Sequence, residues 1–229
     1  MDNEPKSRAD RDLAFLGTIT TSMTHELANV ILIIEQIGGL LEDLLETERE
    51  GRPVSCERLA VIQERLSRQT HRASNLIRGL NQFAHGIDQR LTEFDLNGLV
   101  RGLLEVSGRF ANSRGVTVES QLAPGEIRVR ADPFALQQAV FAALRRAFSI
   151  CGPGKTVRIT VTEDRRGPMI SVQGPRGLES STSAAQMDLL RPLLVGLGGS
   201  VSTKRKGTDE ILIIRLEPLV VDEPSTDQD

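Results

Sequence analysis

The sequence predicts an α+β chain: an antiparallel helical hairpin, doubled by a second copy into a four-helix bundle, followed by a two-layer α/β sandwich. Three observations support this. Apolar residues recur at alternating four- and three-residue steps through two long stretches, the heptad rhythm of helices packed along a seam. The segment EREGRPVS between them carries the Gly and Pro of a turn. From about Leu91 the rhythm gives way to short alternating stretches interleaved with helical ones, and no segment repeats.

Residues 1–12 and 219–229 are polar or Pro-containing and are expected to be disordered. In the hairpin, residues 13–90, the first seam runs Leu16, Thr20, Met23, Leu27, Val30, Ile34, Ile37, Leu41, Leu44. The second runs Leu59, Ile62, Leu66, Gln69, Ala73, Leu76, Leu80, Phe83, Ile87. Each helix would be roughly 50 Å long at about 1.5 Å per residue. A lone hairpin cannot cover both apolar stripes, so a homodimeric bundle follows from the pattern. The sandwich occupies residues 94–218. A helix is expected from Asn97 to Arg114, ended by Gly115, and VTVESQL and IRVRAD read as strands. Asp132 then caps a helix with Pro133 in its first turn, running through ALQQAVFAALRRAF to Gly152-Pro153-Gly154. TVRITVTE and MISVQ read as strands, AAQMDLLRPLLVGL as a helix, and SVSTK with EILIIRLEP as a closing pair of strands.

Of the 229 residues 39% are hydrophobic and 26% charged, the balance of a soluble globular chain. A formal net charge of −3, with seven Phe and no Trp or Tyr, gives neither the basic footprint nor the stacking rings of a nucleic-acid binder. No apolar run approaches the roughly 18 residues of a membrane span, and MDNEPKSRADRD is charged where a secretory leader is apolar. Neither nucleic acid nor membrane is expected as a partner. Cys56 and Cys151 lie far apart, outside any C-x-x-C pair. They suggest no zinc site and no disulfide framework, which leaves a reducing cytoplasm as the default.

The heptad places His25, His71 and His85 at position f, furthest from the seam, so neighbours must choose among them. His25 is followed by Glu26, a carboxylate able to take the imidazole proton during attack on a phosphoryl group. Asn29, one turn on, shares the face of His25 and can orient a water or phosphoryl oxygens. Neither His71, before Arg72, nor His85, before Gly86, has such a partner. The plain alternative for an exposed helical histidine is a solvated surface residue.

The string HELAN resembles the H-box of the dimerisation and phosphoacceptor domain of two-component histidine kinases. That resemblance implies that His25 carries the phosphoryl group, Glu26 aids its transfer, and Asn29 supports dephosphorylation of a partner receiver. Leu32 lies one heptad beyond His25 on the same outward face, where an apolar side chain needs a cover. By resemblance the cover is a receiver domain with an acceptor Asp; the alternative is the second domain of this chain. On the second helix Arg58, Arg65, Arg68, Arg72 and Arg78 form a largely solvated face. Of these, Arg68 and Arg72 are candidates to meet the acidic pocket of a receiver.

The region 94–218 resembles the ATP-binding domain that follows the hairpin in histidine kinases. ADPFALQQAVFAALRRA is similar to its N-box helix, with Asp132, Pro133, Leu136 and Gln138 in the expected places. The family's Mg²⁺- and phosphate-holding Asn positions, however, are Ala142 and Arg146 here. The adenine-reading Asp is replaced by Val172 or Gln173 in VQGPRG, and the Gly-rich lid is absent. An Ala offers no oxygen to a hard cation. The pattern resembles kinase-derived histidine phosphotransferases, which keep the hairpin and a shrunken ATPase-like domain and bind no ATP. Their counterpart of the adenine box can read Gly-Pro-Arg, as Gly174-Pro175-Arg176 does.

The resemblance implies a dimeric phosphotransferase relaying phosphoryl groups between receivers through His25, without ATP or Mg²⁺ bound to this chain. An upstream hybrid histidine kinase would supply them. Two alternatives stay open: an atypical histidine kinase or receiver phosphatase, and a non-catalytic regulatory dimer. Gly152-Pro153-Gly154-Lys155-Thr156 ends like a phosphate loop, but it follows a helix and enters a strand, the reverse of what cradling needs. Lys204-Arg205-Lys206 reads as a solvated hairpin turn.

Overall fold

The computed structural model describes residues 8–86, 91–175, 193 and 197–218, the side chains of 8, 82 and 84–86 excepted. The chain divides after Phe83 into two units.

The first unit is the helical hairpin. Helix α1 (Arg8–Arg49) begins inside the segment expected to be disordered, and α2 spans Cys56–Gly86. With 42 and 31 residues they extend about 63 and 46 Å at 1.5 Å per residue. The break between them is built as its residues suggest. Gly51 adopts φ 78°, a conformation that costs a side chain. Its N–H donates to Glu48 O and that of Arg52 to Thr47 O, satisfying the last carbonyls of α1. Pro53 cannot continue the helix, and Ser55 Oγ accepts the N–H of Arg58 to open α2. Where the free helix ends meet, the rings of Phe15 and Phe83 pack 5.8 Å apart.

The seam differs in part from the expected one. Met23, Val30 and Ile37 of α1 and Ile62, Leu76 and Phe83 of α2 are buried as anticipated. In the first half of α1, however, Phe15, Ile19 and Glu26 fill it, while Leu16 and Leu27 are half-buried and Thr20 is exposed. The stripe is therefore rotated by one residue there. A second apolar stripe stays open in a single chain: Leu13, Ile31 and Leu45 on α1, and Leu59 and Ile77 on α2, are exposed at whole-turn spacings.

The second unit is a two-layer α/β sandwich. A short antiparallel pair, β1 (Thr92–Asp95) with β3 (Arg128–Ala131), stands apart from the main sheet. Helices α3 (Leu96–Asn112) and α4 (Pro133–Ile150) form the helical layer. The sheet comprises β2 (Thr117–Gln121), β4 (Thr156–Asp164), β5 (Gly167–Pro175), β6 (Ser200–Lys206) and β7 (Asp209–Arg215). Its order is β2-β4-β5-β7-β6, with β2 and β4 parallel and the other pairs antiparallel. Alternation puts Val157, Ile159 and Val161 of β4 and Ile170 and Val172 of β5 on the buried face, joined by Leu212 and Ile214 of β7, where Ile213 between them is buried as well. Against it lie Leu99, Leu103, Leu136, Val140 and Leu144 of the helices. Both helices are capped by side chains. Asp132 Oδ1 accepts from Ala135 N at 3.0 Å, ahead of Pro133. Asp95 accepts from Asn97 N and Gly98 N, and also from Ile127 N across the β1–β3 pair. Both cysteines are free, Cys56 exposed and Cys151 buried. Among the described residues, no helix is long and apolar enough to cross a membrane. The expected helix AAQMDLLRPLLVGL lies outside the described residues apart from Leu193 and Leu197, as do residues 1–7 and 219–229.

Candidate functional site

On α1, His25 and Asn29 are both exposed and one turn apart, and Leu32, two turns from His25, is 52% exposed. Glu26 behaves differently. Successive helical residues leave the axis about 100° apart, so Glu26 turns into the seam beside Met23 and Val30. There Arg72 of α2 donates from Nη2 to its Oε2 at 2.5 Å, a short charge-assisted bond. Glu26 and Arg72, assigned to catalysis and partner binding from the sequence, are thus brought together across the hairpin. Arg72 remains half-exposed.

Below His25 the two helices border a cavity of about 310 Å³ lined by Ile33, Gln36, Ile37 and Leu40 of α1 and Arg65, Arg68 and Gln69 of α2. Gln36 lies three turns from His25 on the same face, so the groove that Arg65 and Arg68 wall opens further along the side of α1 that carries the histidine. Arg68 reaches Glu64 loosely, at 3.4 Å on the surface. Arg65, Gln36 and Gln69 were not among the expected site residues. Their signal was present: Arg65 precedes Arg68 by one turn, and Gln69 is the single polar side chain in an otherwise apolar seam. His71 is exposed, and the side chain of His85 lies outside the described residues.

In the α/β unit, Leu136 and Gln138 are buried in α4, Ala142 is exposed, and Arg146 is 6% exposed. Arg146 interacts electrostatically with Glu210 of β7, itself 2% exposed; burial pulls the Arg146 guanidinium below its ordinary value, and Glu210 opposes that fall. Glu210 also has Arg205 at 4.0 Å. Val172 sits in the core, whereas the Gln173 amide donates to Asp209 Oδ2 at 2.8 Å. Gly174 lies against Ala147 and Val157, close enough that a Cβ would be in contact at 3.8–3.9 Å. Arg176 falls outside the described residues. A cleft that grips Mg²⁺ through side-chain oxygens does not fit a methyl group and a guanidinium at Ala142 and Arg146.

No protein-family model matches the chain, and no curated protein matches it in sequence. Solved structures do. The catalytic domain of the histidine kinase ThkA superimposes with a TM-score of 0.51 at 19% identity, covering 56% of this chain and 97% of that one. The Acinetobacter baumannii histidine kinase AdeS is similar over 84% of this chain and 97% of its own, at 19% identity and TM-score 0.47. ThkA in complex with the response regulator protein TrrA is similar over 90% and 62%, at 19% identity and TM-score 0.49. The fold assignment rests on the ThkA catalytic domain, whose coverage suits the size of the α/β unit. With a helical hairpin ahead of a sandwich of that fold, the chain is histidine-kinase-like in architecture.

Proposed function

We propose that this chain is a dimeric, cytoplasmic histidine phosphotransferase of a two-component phosphorelay, moving phosphoryl groups between receiver-domain aspartates through His25. One imidazole nitrogen attacks phosphorus, the acyl P–O bond breaks, and the donor aspartate leaves as a carboxylate while an N–P bond forms. The second ring nitrogen keeps its proton or yields it to solvent. The reverse sequence on a second receiver regenerates the imidazole. Because both phosphorylated species are reactive, the protein mainly supplies positioning. Asn29, exposed one turn from His25, would offer its amide to phosphoryl oxygens, and Mg²⁺ would come with the receiver. An upstream hybrid histidine kinase would feed the relay.

The observation that carries the reading is the Ala142–Arg146 pair on α4: an exposed methyl and a buried guanidinium, at what the sequence resemblance implies are the family's oxygen-ligand positions. Three further features support it. His25 is exposed on the side of α1 that also carries Gln36 of the groove. Arg65 and Arg68 offer positive charge to an acidic receiver surface. The open stripe of Leu13, Ile31, Leu45, Leu59 and Ile77 suits a second copy of the hairpin.

The fold itself favours a second reading, an ATP-using kinase, because the α/β unit matches a kinase catalytic domain. Titration calorimetry with ATP and Mg²⁺ separates the two. The phosphotransferase reading expects no heat of binding at millimolar nucleotide. Saturable binding, followed by labelling of His25 from ATP, would establish the kinase.

A further inference from the structure

Glu26 poses a physical problem. Its side chain is only 10% exposed, in an apolar seam, one residue from the proposed phosphoacceptor. A carboxylate taken out of water is costly unless a cation meets it. Arg72 is that cation, and it comes from the opposite helix, so the contact exists only when the hairpin is formed. The two partners are unequally placed: the Arg72 side chain is 46% exposed, while its Nη2 reaches in to the buried carboxylate. By helical spacing Arg65, Arg68 and Arg72 share one face of α2, and the first two wall the groove between the helices.

We infer that Arg72 is a positioning residue for His25, acting through Glu26. This rests on the phosphotransfer reading above. Arg72 pins the carboxylate in the seam, so its negative charge acts on the imidazole from a fixed point. Without that grip, Glu26 is free to leave the seam for water. There it would stand in the path of the incoming phosphoryl group, which is also negative. Arg72 thus belongs to the chemistry of the site as well as to its rim, and its effect requires Glu26.

The test uses the full chain and potassium phosphoramidate, a small donor that needs no receiver docking. Transfer breaks the donor P–N bond, forms an N–P bond to His25 and releases ammonia; intact mass and ³¹P spectra follow the product. At saturating donor, Arg72→Met is expected to slow phosphorylation roughly tenfold or more, because loss of orientation acts on the chemical step. Arg72→Lys, which keeps a cationic donor for Oε2 without the planar fork, is expected to recover part of the rate. The double variant Glu26→Gln/Arg72→Met is expected to be no slower than the slower single variant, the signature of residues that act as one unit.

An Arg72→Met rate within about twofold of wild type overturns the inference, as do single losses that multiply in the double variant. A receiver-driven assay in which Arg72→Met raises KM and leaves kcat unchanged also overturns it, by making Arg72 a docking contact. Circular dichroism checks that the helices persist. If Arg72→Met unfolds, Glu26→Gln/Arg72→Gln, which leaves no unpaired charge in the seam, is compared with Glu26→Gln, and equal rates support the inference while a further loss overturns it. A wild-type chain that accepts phosphoryl groups from neither phosphoramidate nor a phosphorylated receiver removes the underlying reading and the inference together. A phosphorylated wild type beside an unaffected Arg72→Met removes the inference alone.

Discussion

Replacing Asp95 by Ala removes three backbone contacts at once. The carboxylate accepts from Asn97 N at 3.1 Å and Gly98 N at 2.8 Å, which caps α3, and from Ile127 N at 3.2 Å, which ties the end of the 122–127 loop to the helix. Loss of a cap costs about 1 kcal/mol. An orphaned N–H at Ile127 adds about 1–2 kcal/mol, toward the low end because Asp95 is half-buried. The expected cost is therefore about 2–3 kcal/mol, equivalent to roughly 30- to 150-fold at 1.4 kcal/mol per decade. Hydrogen exchange read by mass spectrometry suits the question, since the chain has no Trp or Tyr to report by fluorescence. Amides of Leu96–Leu99 and of Ile127 should exchange faster by that factor in Asp95→Ala, and by less in Asp95→Asn, which keeps one acceptor oxygen. Acceleration below about threefold in both segments would refute the reasoning, because it would mean that water replaces the carboxylate at no cost.

Three other outcomes are expected. Gly167 has φ 108°, and a Cβ there would lie 2.5 Å from Leu216 O and 2.9 Å from Pro218 N, so Gly167→Ala should lower the calorimetric Tm by on the order of 5–10 °C; an unchanged Tm would contradict that geometry. The Asp164 carboxyl is held below its usual range, first by its hydrogen bond from Arg215 and then by that from Arg166 N. A depressed carboxylate contributes stability above its unfolded value of about 3.9 and loses it as the pH falls through the lower folded value. Arg215→Met should therefore melt below wild type at neutral pH, with the gap closing as the pH falls below about 3.9; a gap independent of pH would be the wrong result. Ile77→Asp places a charge on the open apolar stripe and should convert a dimer to monomers in sedimentation velocity, whereas a monomeric wild type would remove the bundle from the account.

Much of this fold was legible in the sequence, for reasons that name its limits. Helix α4 announced itself through Asp132 and Pro133, strands β4 and β5 through a period of two that their buried face enforces, and β7 through a continuous apolar run. Strand β1 did not: TEFD holds one apolar residue, and its pairing with β3 is fixed only after α3 has carried the chain round. Asp95 was missed with it, although Asp before a helical pattern is a capping signal. The hairpin seam was read one residue off in the first half of α1. That stretch has apolar side chains at adjacent positions, Phe15 with Leu16, which open two neighbouring stripes. Periodicity reports that both exist and cannot say which one faces α2.

The site was half-visible in the same way. His25 and Asn29 are exposed on one face, as position f requires. Glu26 was read through its neighbour in sequence, yet its partner in space is Arg72. The heptad held that information too. Glu26 and Arg72 each follow a histidine at f and so fall at g, the position from which charged side chains meet across helices. The Arg146–Glu210 interaction was beyond reach, because it joins α4 to a strand more than sixty positions later through tertiary packing alone.

The central claim is that His25 carries a phosphoryl group received from an aspartyl phosphate. Its most direct measurement is incubation of the purified chain with a phosphorylated receiver, followed by phosphopeptide mapping. The account expects an acid-labile, base-stable phosphoryl group on the peptide containing His25, none on His25→Gln, and none when ATP and Mg²⁺ replace the receiver. Transfer that persists in His25→Gln, or labelling that requires only ATP, would contradict it.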